Sequence, residues 1–427
     1  MEKLFSFEYD QERDYQVVQQ MVEKLKPTLI GPRVVSSAGF FLGPWYFYLQ
    51  IPFFLLSRGN PLYQAYLTGI VNVASTLLLF WLLTKLTRRR FLSLLSALMW
   101  TVTLDRTSWN VTFVPLFALI FLLQYFSLKN APTPKQIFLL TLTFFFGLNF
   151  HVQFIFLLPL WLTSVLKFTK SSLSDPLVKV ALLALPVLLS FLPLIIFDLR
   201  HEFINSLSFA NFIIKSASGS DLGFRLTYSL KQLSSYLTFI HPLIKHNLYL
   251  TAGLLLMPCI FLKRIKYLNS LYLSTILSVL SLSFYQELTW PEYYHYLTSL
   301  ILFIILVVIV SKLSLTRLVY SVFAVSMVFL GLIRLQNQIN PSAYYYKKEL
   351  MLYMLEMNKP FGKINVLYEF PFGQGLGFSP IRDYYEPKTG RYHPSRTFLV
   401  SYPSNPKHNQ TARGFGQYAI SYYDSNE

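Results

Sequence analysis

Residues 136–168 read QIFLLTLTFFFGLNFHVQFIFLLPLWLTSVLKF. How often this stretch crosses a bilayer fixes the topology of everything after it. A single helix of about 30 residues would rise roughly 45 Å, too long for a hydrocarbon core of about 30 Å. One crossing would also put Lys167 and Lys170 opposite the other basic loops. Two short spans, Gln136–Phe150 and Phe154–Phe168, with NFHVQF (149–154) at the turn, satisfy both constraints.

The rest of the chain supports a membrane reading. Its 427 residues have a mean hydropathy of +0.43, with 53% hydrophobic and only 13% charged, whereas soluble domains carry about 25% charged residues. Eight further spans follow from the apolar runs: Leu62–Thr84, Phe91–Leu104, Thr112–Leu128, Lys179–Phe197, Asn247–Leu262, Leu268–Tyr285, Tyr294–Val310 and Leu318–Leu335. If all ten alternate, one set of connections collects Lys85, Arg88, Arg89, Arg90, Lys129, Lys135, Lys167, Lys170, Lys179, Lys263, Arg264, Lys266, Lys312 and Arg317. The opposite short loops carry chiefly Arg106. That bias assigns the basic end to the cytoplasm. It also accounts for the net charge of +17 without nucleic acid. The expected location is the plasma membrane, multi-pass, with both chain ends outside.

Most polar clusters then share the extracytoplasmic end. They are FEYDQERDYQ (7–16), LDRTSWN (104–110), NFHVQF, FDLRHEF (197–203) and QELTWPEYYHY (286–296). Residues 1–61 form a first outer loop. Within it Gly39–Leu56, aromatic and broken by Gly43, Pro44 and Pro52, reads as an interfacial helix. The outer loop 198–246 has apolar residues at helical spacing and reads as amphipathic helices on the outer leaflet. The expected fold is therefore an all-α polytopic membrane protein. Residues 1–335 form the transmembrane domain, and 336–427, polar and Tyr-rich, form a small extracytoplasmic α+β appendage.

Several residues are candidates for chemistry. Asp10 and Asp14 lie one turn apart if a helix begins there, with Arg13 beside Asp14. A carboxylate at the interface can serve as general base toward a hydroxyl or hold a divalent cation that bridges phosphate oxygens; a solvated tail is the bland reading. Arg200 and His201 follow a span, and a guanidinium matches phosphate bidentately, although snorkelling to headgroups explains an Arg there equally well. His151 and Gln153 sit at a turn where polar groups usually face a cavity. Asn110 suits a helix cap, and His295 in an aromatic belt suits an interface anchor. The single cysteine, Cys259, excludes an intramolecular disulfide. The sequence contains no phosphate-binding Walker loop, dinucleotide fingerprint or Cys/His metal spacing.

In order, the chain presents Tyr9-Asp10-Gln11 with Arg13-Asp14, LIGPRVVSSAGFFLGPWYFYLQIPFFLL (29–56), RRR (88–90), TSWNVTFVPLFALIFLL (107–123), His151-x-Gln153 and PLIIFDLRHEFINS (193–206). This order resembles the dolichyl-phosphate-mannose protein mannosyltransferase-like family of GT-C glycosyltransferases, the broad group that includes the lipid A aminoarabinose transferase. The resemblance covers roughly Phe5–Phe212 in motifs and the remainder in topology.

The resemblance implies a membrane glycosyltransferase acting at the extracytoplasmic face. It would move a hexosyl or pentosyl unit from a polyprenyl-phosphate donor to a protein, lipid or glycan acceptor, inverting the anomeric centre. Asp10 takes the place of the family's catalytic acid, with Asp14, Arg13, Asn110, His151 and Gln153 in support. Arg200 and His201 become the donor-phosphate candidates, with His295 an outlying one. No cofactor is implied beyond an optional divalent metal ion. Gln11 stands where many members have Glu, Asn110 where some have a second acid, and Gly43 where some have a phosphate-holding Lys. Members also carry a transmembrane helix before the acidic loop, which leads us to expect one ahead of Met1. A lipid-linked oligosaccharide flippase or a polysaccharide polymerase is the competing class. A transporter would place charges and helix breaks at the midplane, often in related halves, and no such halves are evident.

Overall fold

The structure is a computed structural model that describes residues 2–34, 39–102, 107–128, 132–170, 175–216, 222–237, 247–262, 265, 268–284, 292–338, 340–359, 361–370, 377–393, 396–401 and 413–424. Arg106, Lys129, Lys263, Arg264, Lys266 and part of the loop before His295 lie outside these residues. All ten expected spans are helical. They are α3 (Tyr63–Thr87), α4 (Arg90–Thr101), α5 (Val114–Tyr125), α6 (Pro134–Leu148), α7 (Leu158–Thr169), α8 (Pro176–Arg200), α11 (Leu248–Leu262), α12 (Leu268–Ser283), α13 (Tyr296–Lys312) and α14 (Ser314–Asn337). The stretch expected to be interfacial holds a helix, α2 (Trp45–Leu56), and the 198–246 loop holds α9 (Ile204–Ser216) and α10 (Leu222–Leu237).

Residues 136–168 do break. α6 stops at Leu148, and the chain resumes as a 3-10 turn, Val152–Leu157, that runs into α7. Local sequence explains the starts: Thr133 and Gln136 form a capping box around Pro134, and Asp175 accepts from the Leu177 amide at 2.7 Å ahead of Pro176. Five helical segments have the length and hydropathy to cross a membrane. They do not share one environment. The apolar window at Tyr293–Lys312 is 89% buried, whereas that of α14 is 6% buried. α13 is thus the axis of the bundle, and α14 packs against only α4 and α13 to any extent among the described residues.

Side-chain ties identify the two ends of the bundle. At the basic end Lys85 Nζ donates to Ser127 Oγ (2.5 Å) and Lys179 Nζ to the Thr169 carbonyl (2.9 Å). At the other end Asn110 Nδ2 donates to the Phe150 carbonyl (2.5 Å) and Gln153 Oε1 accepts from the Leu297 amide (2.7 Å). The polar turns around residues 110, 150 and 294 therefore gather at one end.

The chain termini also meet. α1 (Tyr9–Glu23) packs on α2, and the segment ahead of it bridges Ala343 through Ser6. It seats on α15 (Tyr344–Met357) and α16 (Ser379–Tyr385) of the appendage, whose sheet has the order β2-β4-β6-β5. Those strands are β2 (Val366–Glu369), β4 (Arg396–Ser401), β5 (Arg413–Phe415) and β6 (Tyr418–Asp424). β2 and β4 are parallel and the remaining pairs antiparallel; β1 (Gly362–Lys363) and β3 (Arg391–Tyr392) pair separately. A single core joins Phe5, Phe7 and Tyr15 to Tyr344, Met351, Phe378 and Tyr418. At its centre the fully buried Lys347 donates to the Phe7 carbonyl and lies over the rings of Phe378 and Tyr418. Removing one partner of such a buried polar contact is costly. Lys347→Met should therefore raise hydrogen exchange in residues 5–12 and 344–351 while leaving α13 protected, as mass spectrometry would read; unchanged exchange in both segments would contradict this seating.

Candidate functional site

Two polar groups form at the non-basic end. The first is built on α1. Gln11 caps its own helix by accepting from the Glu8 amide (3.0 Å) and uses its NH₂ to reach the Ser108 carbonyl (2.8 Å). Gln64 Nε2 in turn donates to the Gln11 carbonyl (3.1 Å). Glu12 accepts from the Gly377 amide. These ties fix the rotation of α1, burying Gln11, Glu12 and Asp14 and leaving Asp10 partly exposed. Arg13 bridges the two aspartates: Nη1 lies 2.7 Å from Asp10 Oδ1, while Nη2 (2.6 Å) and Nε (2.9 Å) reach Asp14 Oδ1. Asp14 Oδ2 and the neighbouring Tyr46 hydroxyl are buried without a well-formed hydrogen bond. Burial pushes the Asp14 carboxyl up to about 7, against the pull of Arg13.

The second group lines a cavity of about 860 Å³ between α8, α9, α12, the 152–157 turn and a hairpin whose described arms are residues 31–34 and 39–42. The hairpin is formed by bonds between Gly31 and Leu42, Leu42 and Pro32, and Val34 and Phe40. Gly31 and Gly43 leave no room for a side chain. A Cβ on Gly31 would collide with the Gly43 backbone carbonyl, and one on Gly43 would collide with the Asn149 side chain. The walls are mostly Phe, Leu, Ile and Val. The lining also includes two polar groups, His151 with Gln153 and Asp198 with Asn205 and Ser206.

Asn205 and Gln153 are held by partners far away in the chain, Asp198 and His151 by near neighbours. Asp198 accepts from the amides of Asn205 (2.8 Å) and Ser206 (3.1 Å) and from Ser206 Oγ (2.5 Å). It thereby caps the free amides at the start of α9. Asn205 pairs with both backbone groups of Phe41, at 2.7 and 3.2 Å, as a strand would. Sequence reading passed over both residues: Asp198 looked like a neighbour of Arg200, and the Asn205–Phe41 pairing spans 164 positions. The spacing of Asp198 to the start of an apolar helical pattern was the available signal.

His151 Nδ1 accepts from the Gln153 amide (3.3 Å) and side chain (3.1 Å), which assigns the proton to Nε2. Burial lowers its pKa to about 3, so the imidazole is a neutral donor at the cavity wall. Gln153 also binds the Leu297 amide and the Tyr293 carbonyl. Asn110 does not cap α5; it ties the 3-10 turn Asn110–Phe113 to Phe150, one residue before His151.

The remaining candidates lie apart. Arg200 and His201 are exposed and do not line the cavity, although they share the α8–α9 turn with Asp198. His201 stacks on Phe197 at 4.2 Å and hydrogen-bonds its carbonyl (2.7 Å). His295 is fully buried against Ser229 (3.3 Å). A divalent ion fits poorly: Arg13 already occupies the facing oxygens of Asp10 and Asp14, and no three His, Cys, Asp or Glu converge among the described residues.

No family model and no curated protein matches the sequence. Among solved structures, the chain is similar to ArnT from Cupriavidus metallidurans bound to undecaprenyl phosphate. The TM-score is 0.57 at 11% identity, over 99% of this chain and 94% of that one. The apo state of the same protein gives 0.54 at 11% identity, over 99% and 95%. The chain therefore has the polytopic helical GT-C fold along its full described length.

The carboxyl of Asp14 provides a pH test. Its folded pKa lies above the ordinary carboxylate value, so its stabilising contribution is complete in acid and is lost as pH rises through about 7. Asp14→Asn cannot ionise. Wild type should lose thermal stability relative to Asp14→Asn between about pH 4 and about pH 7, with the difference constant above that, in melting experiments; parallel profiles would show that Asp14 is not buried as described.

Proposed function

We propose that the chain is a membrane glycosyltransferase that moves a sugar from a polyprenyl-phosphate donor to an acceptor at the extracytoplasmic end. The observation that carries this reading is the apolar cavity with polar groups in its lining, in a fold shared over its length with a protein bound to undecaprenyl phosphate. An isoprenoid tail suits walls of Phe, Leu, Ile and Val. The sugar phosphate suits the part of the lining that carries His151 and Asn205, whose Nε2–H and second amide N–H can still donate hydrogen bonds.

Asp10 is the proposed general base. It is the carboxylate of the α1 cluster that keeps solvent access, and Arg13 orients it. Two hydrogen bonds link its helix toward the cavity: Gln11 to Ser108, and Asn110 to Phe150 beside His151. In the reaction, the acceptor oxygen attacks C1 as Asp10 takes its proton. The bond from C1 to the phosphate oxygen breaks, and its electron pair leaves with the polyprenyl phosphate. A single displacement inverts the anomeric centre. Donors aimed at the departing phosphate lower the barrier. Arg200 and His201 remain proposed phosphate partners because their turn also carries Asp198 and Asn205, and Arg33, on the hairpin opposite Phe41, is a cation that sequence reading overlooked.

The test is transfer by the purified full-length chain from a panel of polyprenyl-phosphate sugars. Asp10→Asn should lower kcat by at least about a hundredfold, the contribution of a positioned base, with KM for the donor little changed. Leu194→Trp, which fills the apolar wall, should raise KM for the donor more than it lowers kcat. Full activity in Asp10→Asn would reject the base assignment, and an unchanged donor KM in Leu194→Trp would reject the cavity as the lipid site.

A further inference from the structure

The opposite end of the bundle holds a second concavity, of about 510 Å³, between the starts of α4 and α14. Its polar lining is dominated by Arg88, Arg89, Arg90 and Arg317, and it includes no carboxylate. Among the described residues none of the four guanidinium groups is in an ion pair. We infer that this groove binds the anionic phosphate of a membrane lipid.

Basic loops alone do not account for the arrangement. A positive-inside bias requires Lys or Arg near the ends of spans; it does not require residues 227 positions apart to converge on one hollow, as Arg90 and Arg317 do. The other basic connections described are carried by Lys, whereas this groove has only Arg, whose planar fork matches phosphate oxygens. The placement also runs against local preference. Arg90 opens α4 and Arg317 lies in the first turn of α14, where helix dipoles disfavour cations. Neither helix has a side-chain cap, so both present free amides to the groove. Arg88 adopts a left-handed conformation, φ 57°, at a helix C-cap that usually falls to glycine. A bound anion offsets the two helix-start penalties.

The lip indicates a lipid rather than a free ion. Phe91 and Leu318 line the groove and are each 67% exposed, as they would be against acyl chains. α14 otherwise has little protein around it, and a lipid wedged there would fasten it to α4.

The experiment titrates the detergent-purified full-length chain with phosphatidylglycerol and, separately, phosphatidylcholine, reading bound lipid by native mass spectrometry and Tm by thermal shift. Phosphatidylglycerol should bind at least about tenfold more tightly and raise Tm. R90Q/R317Q should weaken it roughly 25-fold, about fivefold per cation removed, and abolish the Tm rise. The control K167Q/K170Q, which removes equal charge elsewhere, should leave binding unchanged. Both pairs are on the surface, and melting without lipid checks that the variants fold. Equal affinity for the two lipids would overturn the proposal, as would equal weakening by both double variants. Displacement of the phosphatidylglycerol by millimolar inorganic phosphate would also overturn it, reassigning the groove to a free anion.

Discussion

The structure depends on one constraint: backbone that leaves a helix inside an apolar bundle must find its hydrogen-bond partners within the protein. The break after Leu148 meets it. Asn110 takes the Phe150 carbonyl, Gln153 takes the Leu297 amide, and His151 takes the Gln153 amide. A polar triad is therefore fixed by structural need before any chemistry is asked of it. The break also solves a length problem. Twelve α-helical residues in α7 rise about 18 Å, and six 3-10 residues ahead of them about 12 Å, together about the 30 Å of a hydrocarbon core. An uninterrupted helix from residue 136 would overshoot it.

The same logic organises the acidic N-terminus. Five charged residues in ten would remain a solvated tail if nothing received them. Here the tail is received on two sides. Gln11 and Tyr15 bind backbone of the membrane bundle, at Ser108 and Gly59, and Phe5, Phe7 and Glu12 bind the appendage. Asp14 is paid for by Arg13, which at the same time holds Asp10 at the surface. The appendage thus acts on the α1 cluster through packing, although its own residues carry none of the proposed chemistry.

Much of this was legible in the sequence, for identifiable reasons. Long apolar runs separated by Lys and Arg gave ten helices, and composition marked the shift near residue 336. The strands expected there are present, with β2, β4 and β6 in VLYE, RTFLVS and YAISYYD. Environment was not legible. α13 and α14 are both apolar throughout, yet one is the buried axis and the other faces outward; hydropathy cannot separate burial in protein from burial in lipid. In the candidate site, the helix that pairs Asp10 with Asp14 followed from spacing, whereas the choice of which aspartate is buried followed from Tyr46, Ser108 and Gly377, contacts made across 32 to 365 positions. Arg200 was conspicuous as a charge, and Asp198 two residues earlier, which does the positioning, was not.

Only 11% of positions are shared with a protein whose fold this chain follows over 99% of its length. Close approach in this chain rests on a few positions. Gly31 leaves room for the Gly43 backbone and Gly43 for the Asn149 side chain, and Phe41 beside them pairs with Asn205. The cavity is the space left beneath this clasp. Its apolar walls can accept many side chains of similar volume. The clasp, the carboxylate cap at Asp198 and the Gln153 bridge each depend on a particular polar atom or on the absence of one. A small set of such positions can hold the geometry while the bulk of the membrane-facing sequence changes, because the bilayer asks of that bulk only that it be apolar.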